Sequence, residues 1–197
     1  MTQYSFVTTW RIGAPIDRVW EAIHEIGRWP EWWRYVKRAT ELTPGDDRGV
    51  GSIWRLEWRT ALPYSLTFDS RTTRVDPPHN LDAEATGELR GTGRWSLTRQ
   101  GTEGRETLVR YDWNVGTDKV WMNALAPVAR PLFEWNHHVL MAEGGRALAR
   151  HLGAELLEAR PHPPSALAAL GGRAAAAAGV LGILGMLAFL SARRARR

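Results

Sequence analysis

Hydrophobic and polar residues alternate along this chain between residues 37 and 116. In the clearest stretch, residues 50–59, Trp54, Leu56 and Trp58 share one face and charged residues share the other. A period of two is typical of a strand with one buried face. The alternation recurs at Tyr64, Leu66 and Phe68, at Trp95 and Leu97, and at Val109, Tyr111, Trp113 and Val115, with turn residues at 44–47, 76–78, 91–93 and 101–104. The pattern predicts an antiparallel meander of about six strands with one aromatic face.

Helical patterns precede and follow this alternating region along the chain. After a predicted strand over residues 4–12, Pro15 opens a first helix, because a missing N–H costs little in a first turn. Pro30 ends that helix, and residues 31–36 are predicted to form a second, short one. A long helical segment runs from about residue 120 to 157, regular over 132–152, with a glycine pair at 144–145 that favours a close contact or a bend. Its predicted inner face comprises Leu132, Trp135, Val139, Ala142 and Arg146, with Asn136 and Glu143 beside it.

The order of these elements predicts the fold class. A sheet with one aromatic face has only one long helix to cover it, so it has to curl around that helix. We therefore predict an α+β helix-grip fold over residues 1–160, a curved antiparallel β-sheet wrapped around a long C-terminal helix. Curling leaves a cavity between the concave face of the sheet and the helix.

The last part of the chain has a different composition. Residues 161–173 contain Pro and Gly and are predicted to form a linker. Residues 174–192 carry no charge, and a helix of that length spans roughly 28 Å, close to the thickness of a bilayer core. Residues 193–197 form a basic cap. We predict a C-terminal transmembrane helix over 174–192, the alternative being a disordered or surface-lying Ala-rich tail.

The orientation of this predicted span involves a conflict. Four arginines at 193–197 favour a C-terminus that stays inside the cell. The N-terminal residues lack the pattern of a signal peptide, which favours a folded domain that also stays inside. Because moving five residues is easier than exporting a domain, we expect a single-pass C-terminal anchor with the domain on the cytoplasmic face of the cell membrane. A shallow hairpin or an in-plane helix is the alternative.

The basic charge of the chain belongs to its tail. The formal net charge is +5, but residues 1–160 hold 21 basic and 21 acidic residues. Nucleic-acid binding needs a surplus of basic charge on the folded domain, so we expect no nucleic-acid partner. The absence of cysteine excludes disulfides, thiolate nucleophiles and Cys-ligated metals.

Three motifs carry a resemblance to a known family. They are APIDRVW at residues 14–20, WPEWW at 29–33 and FEWNHH at 133–138. On these motifs, residues 3–158 resemble the START-like (SRPBCC) superfamily, specifically its polyketide cyclase/dehydrase and lipid-transport branch. The resemblance implies a helix-grip fold with an internal cavity. It does not imply one reaction, because this superfamily includes cyclases, lipid carriers and hormone receptors.

Aromatic residues of the predicted concave face are the candidate ligand-binding residues. Indoles combine a large apolar face with one N–H donor, and the motif at 29–33 places three of them within five residues. The predicted ligand-binding residues are Trp33, Trp54, Leu56, Trp58, Tyr64, Leu66, Phe68, Trp95, Tyr111, Trp113, Trp135, Asn136 and Val139. The alternative is that these side chains fill a packed core.

Candidate catalytic groups are few. Asn136, His137 and Tyr111 carry polar groups that could face the cavity and act in an enzyme. His137 and His138 are adjacent, so on a helix they point about 100° apart and cannot chelate one ion together. We therefore expect no metal and no cofactor.

The sequence favours binding over catalysis. We expect membrane-tethered binding or transport of an apolar small molecule, such as a lipid, polyketide or quinone, in a Trp-rich cavity. One alternative is an enzyme of the polyketide cyclase or dehydratase type. A second is a membrane-bound interaction module without a ligand, which a packed interior with no sizeable cavity would favour.

Overall fold

A computed structural model describes residues 2–62, 64–117 and 126–162 of the chain. The strands in these ranges are β1 (Thr2–Ile12), β2 (Val36–Thr43), β3 (Ile53–Arg59), β4 (Ser65–Asp76), β5 (Asn80–Gly87), β6 (Arg90–Gln100), β7 (Glu106–Thr117) and β8 (Leu156–His162). The helices are α1 (Ile16–His24), α2 (Trp29–Trp32) and α3 (Ala126–His151), and short 3-10 turns cover Ile26–Arg28 and Thr102–Gly104.

The strands form one antiparallel sheet in the order β2-β3-β4-β5-β6-β7-β1-β8. Strands β2 to β7 are the predicted meander, since each pairs with the next along the chain. Strand β1 pairs with β7, where Phe6 lies opposite Trp113. The curved sheet and its one long helix agree with the helix-grip fold predicted from the element order.

The chain after the long helix differs from the prediction. Helix α3 ends at His151, and Gly153 takes a φ of 61°, which glycine adopts without strain. The helical prediction as far as residue 157 is therefore wrong. Strand β8 follows and pairs with β1. It includes Pro161 and His162, the first two residues of the predicted linker; proline is tolerated here because β8 is an edge strand.

The short second helix is also displaced from its predicted range. Helix α2 covers Trp29–Trp32, whereas 31–36 was the predicted range, and Val36 already begins β2. Pro30 stands in the first turn of α2, where no intrahelical partner for its missing N–H is needed. The proline therefore starts this helix.

Glycines 91 and 93 lie inside β6 and not in the predicted turn. Gly91 approaches β7 so closely that a Cβ would collide with the carbonyl oxygen of Asn114. A Cβ on Gly93 would lie 2.7 Å from the Tyr111 hydroxyl oxygen. Both positions need glycine because atoms of β7 lie where a Cβ would stand. Turn signals in the sequence do not reveal this kind of contact.

Two clusters of buried side chains form the core. The larger joins α1, α2 and the second half of α3 to the sheet, and it includes the fully buried Trp10 and Trp33. The smaller consists of Tyr4, Phe6, Val115 and Phe133. At the glycine pair of α3, a Cβ on Gly145 would lie 2.9 Å from Cδ1 of Trp10. The pair therefore allows indole rings to pack directly on the helix.

No helix in the described ranges is long and apolar enough to cross a membrane. The predicted span over 174–192 and its basic cap lie outside those ranges, as does most of the predicted linker.

Candidate functional site

A cavity of about 130 Å³ lies between the sheet and α3, and it is partly open to solvent. The sheet contributes Tyr4, Phe6, Trp58, Leu66, Phe68, Trp95, Tyr111, Trp113, Val115 and Gly116. Other walls are formed by Trp29 and Trp33 around α2, by Tyr64 and Leu89 in loops, and by Phe133, Asn136, His137, Leu140 and Met141 of α3. Among these described lining residues there is no Asp, Glu, Lys or Arg. The site is therefore aromatic and uncharged, with a few polar groups.

Ring contacts hold the aromatic wall together. Trp95 and Tyr111 stack with ring centroids 4.1 Å apart, and Trp33 meets Trp58 edge to face at 4.9 Å. Such pairs contribute roughly 0.5–1.5 kcal/mol beyond the area they bury. The indole N–H of Trp33 also donates to the backbone carbonyl of Leu140 at 3.2 Å, which ties this wall to α3.

Tyr111 and Tyr64 bring phenol groups to the cavity. Burial raises the pKa of Tyr111 far above its ordinary value, and it raises the pKa of Tyr64 to about 12. Both hydroxyls therefore stay protonated near neutral pH and can donate a hydrogen bond. No hydrogen bond from the Tyr111 hydroxyl to another described residue is present, and Gly93 provides the space that this hydroxyl occupies.

Asn136 links α3 to the loop that follows β3. Its side chain is 6% exposed, and its Oδ1 accepts a hydrogen bond of 2.8 Å from the backbone N–H of Ala61. Thr60 organises the same loop, because its hydroxyl oxygen lies 2.9 Å from the carbonyl oxygen of Leu62 and 2.8 Å from that of Tyr64, and its one proton can be donated to either. The loop carries Tyr64, so Asn136 helps to position one edge of the cavity.

His137 lies flat against Phe6, with ring centroids 4.2 Å apart. Its Nε2 lies 3.5 Å from the buried hydroxyl of Thr8, within reach of a weak hydrogen bond. Burial, with a smaller effect of His138, lowers the pKa of His137 to about 3. The imidazole is therefore neutral near pH 7 and can donate or accept one hydrogen bond without bringing charge into the cavity.

A second, smaller cavity of about 40 Å³ adjoins the first. Both cavities are lined by Trp29, Trp58, Phe68, Trp95, Tyr111 and Trp113. The smaller cavity alone is lined by Ile26, Leu56, Ser70, Thr72, Leu81, Ala83 and Gly93. We call these the main cavity and the inner compartment.

Comparison with known proteins agrees with this architecture. The family described as polyketide cyclase / dehydrase and lipid transport matches residues 3–153. The chain belongs to this family. Its membership confirms the resemblance that the sequence motifs indicate, and no curated protein matches the sequence.

Solved structures similar to this member of the polyketide cyclase/dehydrase family share its fold. The Zhui aromatase/cyclase from Streptomyces sp. R1128 is 17% identical with a TM-score of 0.63, over 76% of this chain and 93% of that one. The START superfamily protein from Mycobacterium smegmatis is 17% identical with a TM-score of 0.61, over 76% and 95%. The di-domain ARO/CYC BexL from the BE-7585A biosynthetic pathway is 18% identical with a TM-score of 0.62, over 76% of this chain and half of that protein.

Most of the predicted ligand-binding residues of this family member line the main cavity. These are Trp33, Trp58, Tyr64, Leu66, Phe68, Trp95, Tyr111, Trp113 and Asn136. Leu56 lines the inner compartment, Trp54 packs over Gly27, and Val139 packs against the larger core cluster. The three catalytic candidates, Asn136, His137 and Tyr111, all line the main cavity. Whether any of these residues contacts a ligand or a substrate stays a prediction.

The inner face of α3 is not the predicted one. Trp135 is 49% exposed and Arg146 is also exposed, so the stripe predicted through these residues does not face the sheet. The cavity side of α3 instead carries Phe133, Asn136, His137, Leu140 and Met141. Both stripes have helical spacing, so the spacing on which the prediction rests does not distinguish them.

Several lining residues were not predicted, although the sequence carries signals for some of them. Tyr4 and Phe6 occupy alternate positions of β1, and their face of the strand is buried from Tyr4 to Ile12. Trp29 belongs to the same WPEWW motif as Trp33. Leu89, which lies in the loop between β5 and β6, has no signal in the sequence pattern.

Proposed function

We propose that this chain binds an apolar small molecule, such as a lipid, polyketide or quinone, in the main cavity. The observation that carries the proposal is a cavity of about 130 Å³ whose walls are aromatic and uncharged. Moving apolar surface from water into such a site contributes roughly 25 cal/mol per Å². A cavity of about 150 Å³ binds benzene, so this partly open cavity of about 130 Å³ has room for roughly one aromatic ring. An interior with this much space disfavours a ligand-free interaction module.

The polar groups of the cavity favour binding over catalysis. Proton transfer in a cyclase or dehydratase needs side chains whose pKa lies near the working pH. His137 has its pKa lowered to about 3, and burial raises the pKa of Tyr111. Neither group exchanges protons readily near pH 7, whereas both can form hydrogen bonds with a ligand.

Native mass spectrometry of the full chain, purified from its natural source, tests the proposal. We expect a bound apolar molecule at near-unit occupancy, which solvent extraction would identify. An empty protein that also fails to bind a panel of lipids, quinones and aromatic polyketides would contradict the proposal. A chemically changed product, formed at a rate that falls about 10²-fold in His137→Gln, would favour the enzyme.

We further propose that residues 174–192 tether the domain to the cytoplasmic face of the membrane. The support is the sequence, with an uncharged stretch of membrane-spanning length. In the full chain, we expect Leu184→Arg with Leu187→Arg to release the protein from carbonate-washed membranes, because a charge in the bilayer core is costly. The matched control is Leu42→Arg with Leu157→Arg, two exposed leucines of the domain. Equal retention of both variants would contradict the tether.

A further inference from the structure

The inner compartment differs from the main cavity in the chemistry of its walls. Alternation on β4 turns Phe68, Ser70 and Thr72 toward the concave side, and the two hydroxyl residues line only the inner compartment. Ser52 donates its hydroxyl to Oγ1 of Thr72 at 3.0 Å, which leaves the hydroxyl proton of Thr72 available for donation. The smaller space therefore has hydroxyl groups on one wall.

Tyr111 lies on the boundary of the two cavities. It lines both, and its hydroxyl makes no hydrogen bond with another described residue. A bound oxygen atom can therefore accept a hydrogen bond from this hydroxyl without displacing a protein acceptor, and such a bond contributes roughly 0.5–1.5 kcal/mol. Gly93 lines the inner compartment and leaves the space for this hydroxyl there.

We propose that the inner compartment binds a hydroxyl or carbonyl oxygen at one end of a ligand whose ring body lies in the main cavity, with Tyr111, Ser70 and Thr72 as its polar partners. This inference rests on the proposed function and narrows the ligand to a ring compound with an oxygen at its buried end. The volume of the inner compartment is large enough for such an end group, because each water-sized group needs about 10–15 Å³ and the compartment provides about 40 Å³. A charged end group does not fit, because no Asp, Glu, Lys or Arg is among the described residues that line the compartment.

The test compares naphthalene with 2-naphthol, which differ by one hydroxyl group. Binding to the full chain is measured by quenching of tryptophan fluorescence, and the readout is the ratio of the two affinities. We expect 2-naphthol to bind about tenfold more tightly than naphthalene. Tyr111→Phe and Ser70→Ala should each lower that ratio by threefold or more. Each substitution changes the packing around both probes alike. A change in the ratio of affinities therefore reports the contact with the hydroxyl group of 2-naphthol.

Matched controls remove hydroxyls outside both cavities. Tyr35→Phe removes the phenol that accepts a hydrogen bond from Arg34, and Ser96→Ala removes the hydroxyl that donates to Asn80. Both should keep the ratio of the unmodified chain. A ratio that is unaffected by Tyr111→Phe and Ser70→Ala, or a 2-naphthol affinity no higher than that of naphthalene, overturns the inner compartment as a polar site. Failure of both probes to bind overturns the proposed function itself.

Discussion

The indole of Trp33 lies directly on Gly144 of α3, so closely that a Cβ at Gly144 would come within 2.5 Å of its Cε2. The same indole donates its N–H to the carbonyl of Leu140, one turn earlier on the helix, at 3.2 Å. Trp33 also lines the cavity. One contact thus sets the distance between α2 and α3 and positions part of the cavity wall.

Gly144→Ala is expected to destabilise the protein by about 2 kcal/mol. An added methyl group would lie only 2.5 Å from Cε2 of a fully buried ring, and so severe an overlap places the cost of overpacking at the upper end of roughly 1–3 kcal/mol. The better helix propensity of alanine offsets about 1 kcal/mol of that cost. Chemical denaturation measures the difference, and the melting temperature should fall by about 4–8 °C.

Gly13→Ala is the matched control for this substitution. A Cβ at Gly13 would meet the carbonyl oxygen of Glu155 at 3.5 Å, which is an ordinary contact. We expect a change of less than about 0.5 kcal/mol in the free energy of unfolding. If Gly144→Ala is tolerated as well as Gly13→Ala, the packing of Trp33 on α3 does not limit stability.

The fold could be predicted because its main signals are local. Alternation in β3 and β7 shows directly which face is buried, since successive side chains point to opposite sides. Strand β8 was not predicted, because its pairing depends on β1, which is distant in the sequence. The segment has only seven residues and contains Pro161, so its own sequence does not indicate a strand. Gly93 looks like a turn residue until Tyr111 is known to occupy the space above it.

The candidate site was predictable on the sheet and less so on the helix. A strand has only two faces, so the face that carries the aromatic side chains can be identified as the concave face of the sheet. On α3, several overlapping stripes satisfy helical spacing, and spacing alone does not choose between the stripe through Trp135 and the one through Phe133 and Leu140. The choice depends on where α2 lies, because Trp33 requires a helix face without a Cβ at Gly144.

Asn136→Ala is expected to lower the free energy of unfolding by about 0.5–1.5 kcal/mol and to loosen the loop that follows β3. The substitution removes the acceptor of the Ala61 N–H, and the loss is the net contribution of one hydrogen bond, because the exposed Ala61 can pair with water instead. Hydrogen exchange at Ala61 should become faster. Asn114→Ala, at an exposed position of β7, is the control and should change stability by less than about 0.5 kcal/mol. Unaltered exchange at Ala61 in the Asn136 variant would exclude this role.

Gly93→Ala is expected to weaken naphthalene binding by about tenfold. The new Cβ would lie 2.7 Å from the Tyr111 hydroxyl oxygen and 3.0 Å from ring carbons of Trp113, so both rings have to shift toward the cavities. Removing the hydroxyl with Tyr111→Phe relieves the closer of the two contacts. The loss caused by Gly93→Ala should therefore be smaller in the Tyr111→Phe background, and a double-mutant cycle measures the difference. An identical loss in both backgrounds would rule out this contact as the cause.

The stability contribution of His137 is expected to depend on pH. Its pKa is about 3 in the folded protein, lowered by burial from an ordinary value of 6.5, so between these values the unfolded chain binds the proton more readily. Protonation therefore favours unfolding, and stability falls as the pH drops below about 6.5. Between pH 7 and pH 5 this group alone should remove about 1–2 kcal/mol.

Urea denaturation at pH 7 and pH 5 measures this effect in the unmodified chain and in two variants. His137→Gln and His137→Phe differ in shape and polarity, but neither side chain titrates in this range. Both should lose less stability than the unmodified chain on going from pH 7 to pH 5, by a similar amount, whatever their stability at pH 7. If the loss is the same in all three proteins, His137 binds its proton as readily in the folded state as in the unfolded state, and it is not the neutral, buried group that stacks on Phe6.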